Sequence, residues 1–114
     1  MSEILTPAKV EKDLRDFLDE WDEAHATHKE YASSFSRFKF AFDMAMARAR
    51  KDRVGAKLNA DEKYADCLIA CEKEYLDFLK AEIGYKASRE NIDRLKIRSD
   101  VLRTQSASVR ESMK

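Results

Sequence analysis

Four side chains of this sequence could together ligate a metal ion. His25 and His28 lie three residues apart, and Cys67 and Cys71 lie four apart. Two imidazoles and two thiolates form a common ligand set for structural zinc. The helices predicted below separate the two pairs by about 25–30 Å along the helix axis, whereas zinc ligands lie about 2 Å from the metal. The sequence therefore predicts no zinc site within one chain, with His28 in a buried, hydrogen-bonded layer.

Other features that would support catalysis are missing from the sequence. It contains two glycines and no Gly-rich phosphate loop, and no nucleophile, base and acid stand at a recognisable spacing. The acidic residues on either side of Trp21 are typical of a solvated helix face. The sequence predicts a protein that is not an enzyme and has no metal and no cofactor.

The segment from residue 36 to 57 is the strongest sign of a binding function. Its sequence is SRFKFAFDMAMARARKDRVGAK, with seven basic and two acidic residues. Lysine and arginine contact the phosphates of single-stranded nucleic acid, while exposed aromatic rings stack with bases. Phe40 and Met44 could contribute such stacking, but a second apolar stripe against a neighbouring subunit is the favoured interpretation. The candidate nucleic-acid-binding residues are Arg37, Lys39, Arg48, Arg50, Lys51, Arg53 and Lys57.

A net charge of zero conceals four charged blocks. Two blocks are acidic: residues 1–36 have nine acids and four bases, and residues 58–85 have seven acids and three bases. Two blocks are basic: residues 37–57 have two acids and seven bases, and residues 86–114 have four acids and eight bases. Within a hairpin these blocks could neutralise one another pairwise, so internal ion pairing stands as the alternative to polyanion binding. Exposed ion pairs contribute only about 0–1 kcal/mol each, so a polyanion could displace them.

An apolar stripe predicts the elements that position these residues. From Val10 to Ala49 apolar or aromatic residues recur at steps of four and three, with His28 as the one polar member, and a similar stripe runs from Tyr64 to Val109. A repeat averaging 3.5 residues is typical of helices that wrap around one another. The residues predicted for the core or the oligomer contact are Leu14, Phe17, Trp21, Tyr31, Phe35, Phe38, Phe42, Ile92, Leu95 and Leu102.

Capping residues set the predicted helix ends. Thr6 and Pro7 are typical of a helix start, Gly55 of a helix end, and Asn59 with Glu62 of a second start. We expect one domain over residues 1–114, with helix 1 at about 7–54, a turn at 55–59 and helix 2 at about 60–110. A turn centred near residue 56 would place residue i opposite 112 minus i. The stripe slips by one step shortly before Gly84, where a bend is possible.

The predicted fold is therefore all-α, a long antiparallel helical hairpin of the coiled-coil kind. The aromatic stripe is too wide for one partner helix to cover, so we expect homo-oligomeric assembly into a helical bundle or ring. Charged residues run through the first twenty positions and no apolar run could span a bilayer, so neither a secretory signal nor a membrane partner is expected. Cys67 and Cys71 on one helix face suit reduced core thiols and a cytoplasmic location.

An Ala/Arg-rich stretch, a glycine-containing turn and a second predicted long helix follow one another between residues 40 and 112. That helix ends in a Leu-Arg…Ser-Ala-Ser-x-Arg-x-Glu pattern, formed by Leu102-Arg103 and Ser106 to Glu111. In these features residues 40–112 resemble the UvsY-type recombination mediators of phages. In that family a Leu-Lys-Ala-Arg-Leu motif before the turn binds single-stranded DNA. The corresponding segment here is Met46-Ala47-Arg48-Ala49-Arg50, in which Arg48 matches the family arginine and the family lysine is not reproduced.

The resemblance implies a ring-shaped homo-oligomer that binds single-stranded DNA. Such proteins displace single-strand-binding protein and help to load a RecA-like recombinase, here in a phage-infected bacterial cell. The residues are also compatible with a different functional class, either a coiled-coil protein–protein adaptor or a phage inhibitor of a host defence complex. A protein of this class would not bind DNA. A virion scaffold is a third candidate.

Overall fold

The computed structural model describes residues 6–113, and over that range it contains three helices and no strand. They are α1 (Pro7–Asp52), α2 (Ala60–Ala70) and α3 (Glu72–Ser112). The predicted all-α class is confirmed, and so is the antiparallel helical hairpin, because α1 packs against α2 and α3, which run in the opposite direction.

The caps that the sequence indicates are present. The N–H of Lys9 donates to Thr6 Oγ1 over 3.2 Å at the start of α1. Asn59 Oδ1 accepts from the N–H of Glu62 at 2.8 Å, and Asn59 Nδ2 donates to Glu62 Oε1 at 2.9 Å, which makes a reciprocal cap for α2. Gly55 has φ +86°, the left-handed conformation that glycine adopts at low cost after a helix.

The second helix of the prediction is divided at Cys71. There φ is −109° and ψ is 26°, and the N–H donates to the carbonyls of both Cys67 and Leu68, at 3.0 and 3.1 Å. A shared bond of this kind tightens one turn towards the 3₁₀ form. The N–H of Tyr75 still donates to the Cys71 carbonyl over 2.9 Å, so the hydrogen-bond ladder passes the irregularity. Gly84, where a bend was possible, lies inside α3.

The chain divides into two compact units. The described residues of the first unit are 6–28 and 87–113, and those of the second are 29–86. In the first unit a cluster of buried side chains joins α1 to α3 through Phe17, Ala24, Ile92, Leu95 and Leu102. In the second unit the buried cluster joins α1 to the Cys71 region through Met46, Ala49, Cys67 and Cys71.

Aromatic rings fill much of the second unit. Phe35 stacks on Tyr85 with centroids 5.0 Å apart, and Phe42 stacks on Phe78 at 5.5 Å. All four side chains are only half-buried. The stripe positions of this segment therefore leave aromatic surface uncovered in the single chain, as expected of a stripe wider than one partner helix.

Burial follows the predicted stripe with two exceptions. Nine of the ten residues predicted for the core or the oligomer contact are buried or half-buried, but Tyr31 is 43% exposed. Its ring lies against Gly84, which has no side chain to cover it. Tyr64, the first member of the second stripe, is 52% exposed.

The helices pair in a different register from the one predicted. The 112-minus-i rule pairs Arg53 with Asn59 and Glu20 with Ile92, but Arg53 contacts Asp66 and Glu20 contacts Arg98. Because Arg53, next to the end of α1, lies beside the seventh residue of α2, the first turns of α2 extend beyond α1. Tyr64, two residues before Asp66, therefore lies near the end of α1, where α1 covers only part of its ring.

Packing of Tyr31 on Gly84 gives a testable energetic consequence. A Cβ added at Gly84 would lie 2.6 Å from Tyr31 Cε1, so the ring would have to move. Glycine inside a helix costs about 1 kcal/mol relative to alanine. We expect Gly84→Ala to lower the free energy of unfolding in the native background, and to raise it by about 1 kcal/mol when Tyr31→Ala is also present. Urea unfolding of the four proteins measures this coupling; an equal gain in both backgrounds would show that the contact is unimportant.

Candidate nucleic-acid interface

The end of the hairpin presents a cluster of cations in the second unit. Arg48, Arg50 and Lys51 occupy the last turns of α1, and Lys57 lies in the connection that follows. All four are exposed, and within residues 6–113 none of them takes part in an ion pair that the structure records. We call these four residues the basic tip. Cations here also complement the negative end of the α1 dipole.

Arg53, also a candidate DNA-binding residue, is engaged within the protein. Its Nε donates to Asp66 Oδ2, and its Nη1 donates to the Ala49 carbonyl over 2.9 Å. The hydrogen bond to Asp66 raises the pKa of Arg53, which is a fixed cation at any physiological pH. Only 23% of its side chain is exposed. Arg53 therefore links α1 to α2 and is a poor choice for a phosphate contact.

Two grooves flank the end of α1 and differ in charge. One, of about 310 Å³, is lined by Arg50, Ala60, Lys63, Tyr64 and Cys67, and we call it the tip groove. The other lies on the Arg48 side, and its lining includes the carboxylates of Asp52 and Glu74. The tip groove has two cations and no carboxylate in its lining, so it is the better of the two for an anionic ligand.

Lys63 and Tyr64 of the tip groove were not among the predicted site residues. Tyr64 occupies an apolar stripe position, so the sequence assigned it to the core, and Lys63 lies in an acidic block. Their proximity to Arg50 depends on the register between α1 and α2. No local pattern in the sequence reports that register.

The remaining candidate cations lie further along α1. The Arg37 guanidinium is 5.1 Å from the centroid of the Phe38 ring, a cation–π contact that leaves it exposed. Lys39 is exposed, and the neighbouring Phe40 is 67% exposed. These residues could extend a binding surface from the basic tip, and Phe40 is available to stack with a base or to pack on another chain.

Ion pairing between helices is less extensive than the charge blocks suggest. Within residues 6–113 two recorded pairs join different helices, Arg53 with Asp66 and Arg98 with Glu20. The four others are local pairs three or four residues apart. In these two pairs a cation of one charge block contacts an acid of another, whereas none of the recorded ion pairs within residues 6–113 includes a residue of the basic tip.

An apolar row on the surface of the second unit is the other unexplained feature. Ile69, Leu76 and Ile83 recur every seven residues and are 74%, 46% and 69% exposed. Ile69 belongs to α2 and the other two residues to α3, and a seven-residue repeat is the spacing of a coiled-coil seam. We call these three residues the apolar row.

The histidines and cysteines have structural roles in separate units. His28 Nδ1 and Ser88 Oγ share a hydrogen bond of 2.8 Å in the first unit, as predicted for His28, although the His28 side chain is half-buried and not buried. His25 packs on Trp21 with centroids 4.4 Å apart. Cys67 and Cys71 are free thiols in the buried cluster of the second unit, where burial raises the pKa of Cys71. Over the described part of the chain, no three His, Cys, Asp or Glu residues are grouped closely enough to hold a metal ion.

None of the helices described is long and apolar enough to cross a membrane. Comparison of the chain with known protein families, with characterised proteins and with solved structures finds no match.

Proposed function

We propose that this protein is a non-enzymatic, homo-oligomeric protein that binds single-stranded DNA through the basic tip. The observation that carries the proposal is the exposure of Arg48, Arg50, Lys51 and Lys57 at one end of a hairpin without recorded internal partners. Lysine and arginine side chains in such an arrangement attract a polyanion and contact its phosphates.

The apolar row supports the homo-oligomeric part of the proposal. Three large aliphatic side chains are partly exposed in this row, and burial of their exposed parts would stabilise an assembly by about 1–2 kcal/mol for each. A second copy of the chain offers the same row and the same uncovered aromatic surface. Several copies would present several basic tips to one DNA strand.

The resemblance to UvsY-type mediators suggests the biological context of this binding. We propose that the protein helps to load a RecA-like recombinase on single-stranded DNA covered by single-strand-binding protein, in the cytoplasm of a phage-infected cell. The apolar row also favours a second candidate, a coiled-coil adaptor or inhibitor of a host defence complex that contacts a different protein and does not bind DNA.

A salt titration distinguishes the two candidates. Fluorescence anisotropy of a labelled oligothymidylate should show binding at low ionic strength, because lysine and arginine side chains that contact the phosphates release the counterions of the DNA. The logarithm of the association constant should fall linearly with the logarithm of the salt concentration, with a slope of about −0.7 for each phosphate contacted. Absence of binding at low salt would exclude the DNA-binding proposal and favour the adaptor.

A further inference from the structure

The tip groove combines the two kinds of side chain that hold a single strand. Arg50 projects from α1, while Lys63 and Tyr64 project from α2, and Ala60 and the fully buried Cys67 complete the lining. Its volume of about 310 Å³ is at the lower end of the range of small-molecule pockets and is sufficient for one planar ring.

Tyr64 is available for contact because of the register between the helices. Its position on α2 belongs to the apolar stripe, but α1 ends at Asp52 and α2 extends past that end. The ring is therefore 52% exposed beside two cations, where a core residue would be covered. An aromatic ring of this kind can stack with any base, since every base has a π face.

The acidic residues nearby do not occupy the groove. Glu62, in the first turn of α2, is engaged in the reciprocal cap with Asn59. Asp66 is paired with Arg53. Neither lines the tip groove, whose charged side chains are Arg50 and Lys63.

We propose that Tyr64 is the stacking platform for one base of a single strand, with Arg50 and Lys63 contacting the phosphates on either side of it. This inference rests on the proposed function and adds a base-binding subsite to the phosphate contacts of the basic tip. Tyr64 would then bind a ligand, whereas the apolar stripe predicts that it packs in the hydrophobic core.

The test compares two probes, an oligothymidylate and an oligonucleotide of equal length in which every site is abasic. Tyr64→Ala should bind oligothymidylate about tenfold more weakly than the native protein, as expected for the loss of one stacked base. Its affinity for the abasic strand should be unchanged, because the phosphate contacts remain. The salt dependence should also stay the same, since stacking releases no counterions.

Tyr64→Phe is the matched control. It keeps the ring and should bind like the native protein. The inference is overturned if the native protein binds both probes equally, if Tyr64→Ala keeps native affinity, or if Tyr64→Phe loses as much affinity as Tyr64→Ala. Failure of the proposed function is a separate result, in which the native protein binds neither probe at low salt.

Discussion

Replacing Arg48, Arg50 and Lys51 together with alanine should weaken the binding of single-stranded DNA about 100-fold at roughly 0.1 M salt. The estimate follows from the loss of about 0.7 logarithmic units per phosphate contact, and the slope of the salt dependence should become shallower by about 2. The three side chains are exposed and make none of the recorded ion pairs within residues 6–113, so their removal leaves the packed clusters intact. Anisotropy titrations at several salt concentrations measure both quantities.

Arg53 is retained in this variant for a structural reason. It joins α1 to α2 through Asp66 and the Ala49 carbonyl, so its replacement would disturb the end of the hairpin as well as remove a charge. Keeping it ensures that any loss of affinity reports phosphate contacts and not a change of fold.

A matched control removes the same charge from the other unit. Lys12, Arg15 and Arg94 are exposed in the first unit and have no recorded ion-pair partner within residues 6–113. Their triple alanine variant should lose at most a few-fold in affinity, since only long-range attraction changes. Equal losses in the two variants would show that net charge, and not the basic tip, governs binding.

The sequence was sufficient to predict the helical stripe but not the register that assembles the site. Apolar spacing identified Phe17, Ile92 and Leu95 as core residues because burial requires one helix face, a local property of the sequence. The Arg53 contact with Asp66 joins residues 13 apart across a turn and depends on how far α2 extends past α1. The exposure of Tyr64 also depends on this register between α1 and α2. Tyr64 occupies an apolar stripe position in the sequence, but in the structure its ring is a candidate contact for a ligand.

Glycine at position 84 shows a similar limit of sequence patterns. The phase slip nearby suggested a bend, but Gly84 lies in a continuous α3 and accommodates the Tyr31 ring. The tighter turn is at Cys71 instead, where one N–H is shared between two carbonyls. The phase slip in the apolar stripe therefore does not mark the irregular turn of the backbone.

Leu76→Glu should convert the proposed homo-oligomer to monomers. Leu76 is the central residue of the apolar row, and a carboxylate there would be desolvated at the proposed interface between copies. The substitution is tolerated within one chain because the side chain is 46% exposed and outside the buried clusters. Light scattering at a fixed protein concentration should show the mass falling to that of one 13.2 kDa chain.

Leu18→Glu provides the comparison for this experiment. Leu18 is 56% exposed on α1 in the first unit, so the substitution adds the same charge at a similar exposure away from the row. It should leave the mass unchanged. If the native protein is itself monomeric, or if Leu18→Glu dissociates the oligomer equally well, the apolar row is not the self-association surface.

DNA binding by Leu76→Glu tests whether self-association through the apolar row increases the affinity of the basic tip for DNA. Linked binding sites act on one strand with a high effective concentration, so an oligomer gains affinity for long DNA that a single hairpin does not have. We expect the variant to lose about 100-fold in affinity for a long oligothymidylate and to keep native affinity for one that spans a single basic tip. Equal affinity of the variant and the native protein for the long strand would show that each hairpin binds DNA independently. Self-association would then make no contribution to DNA affinity.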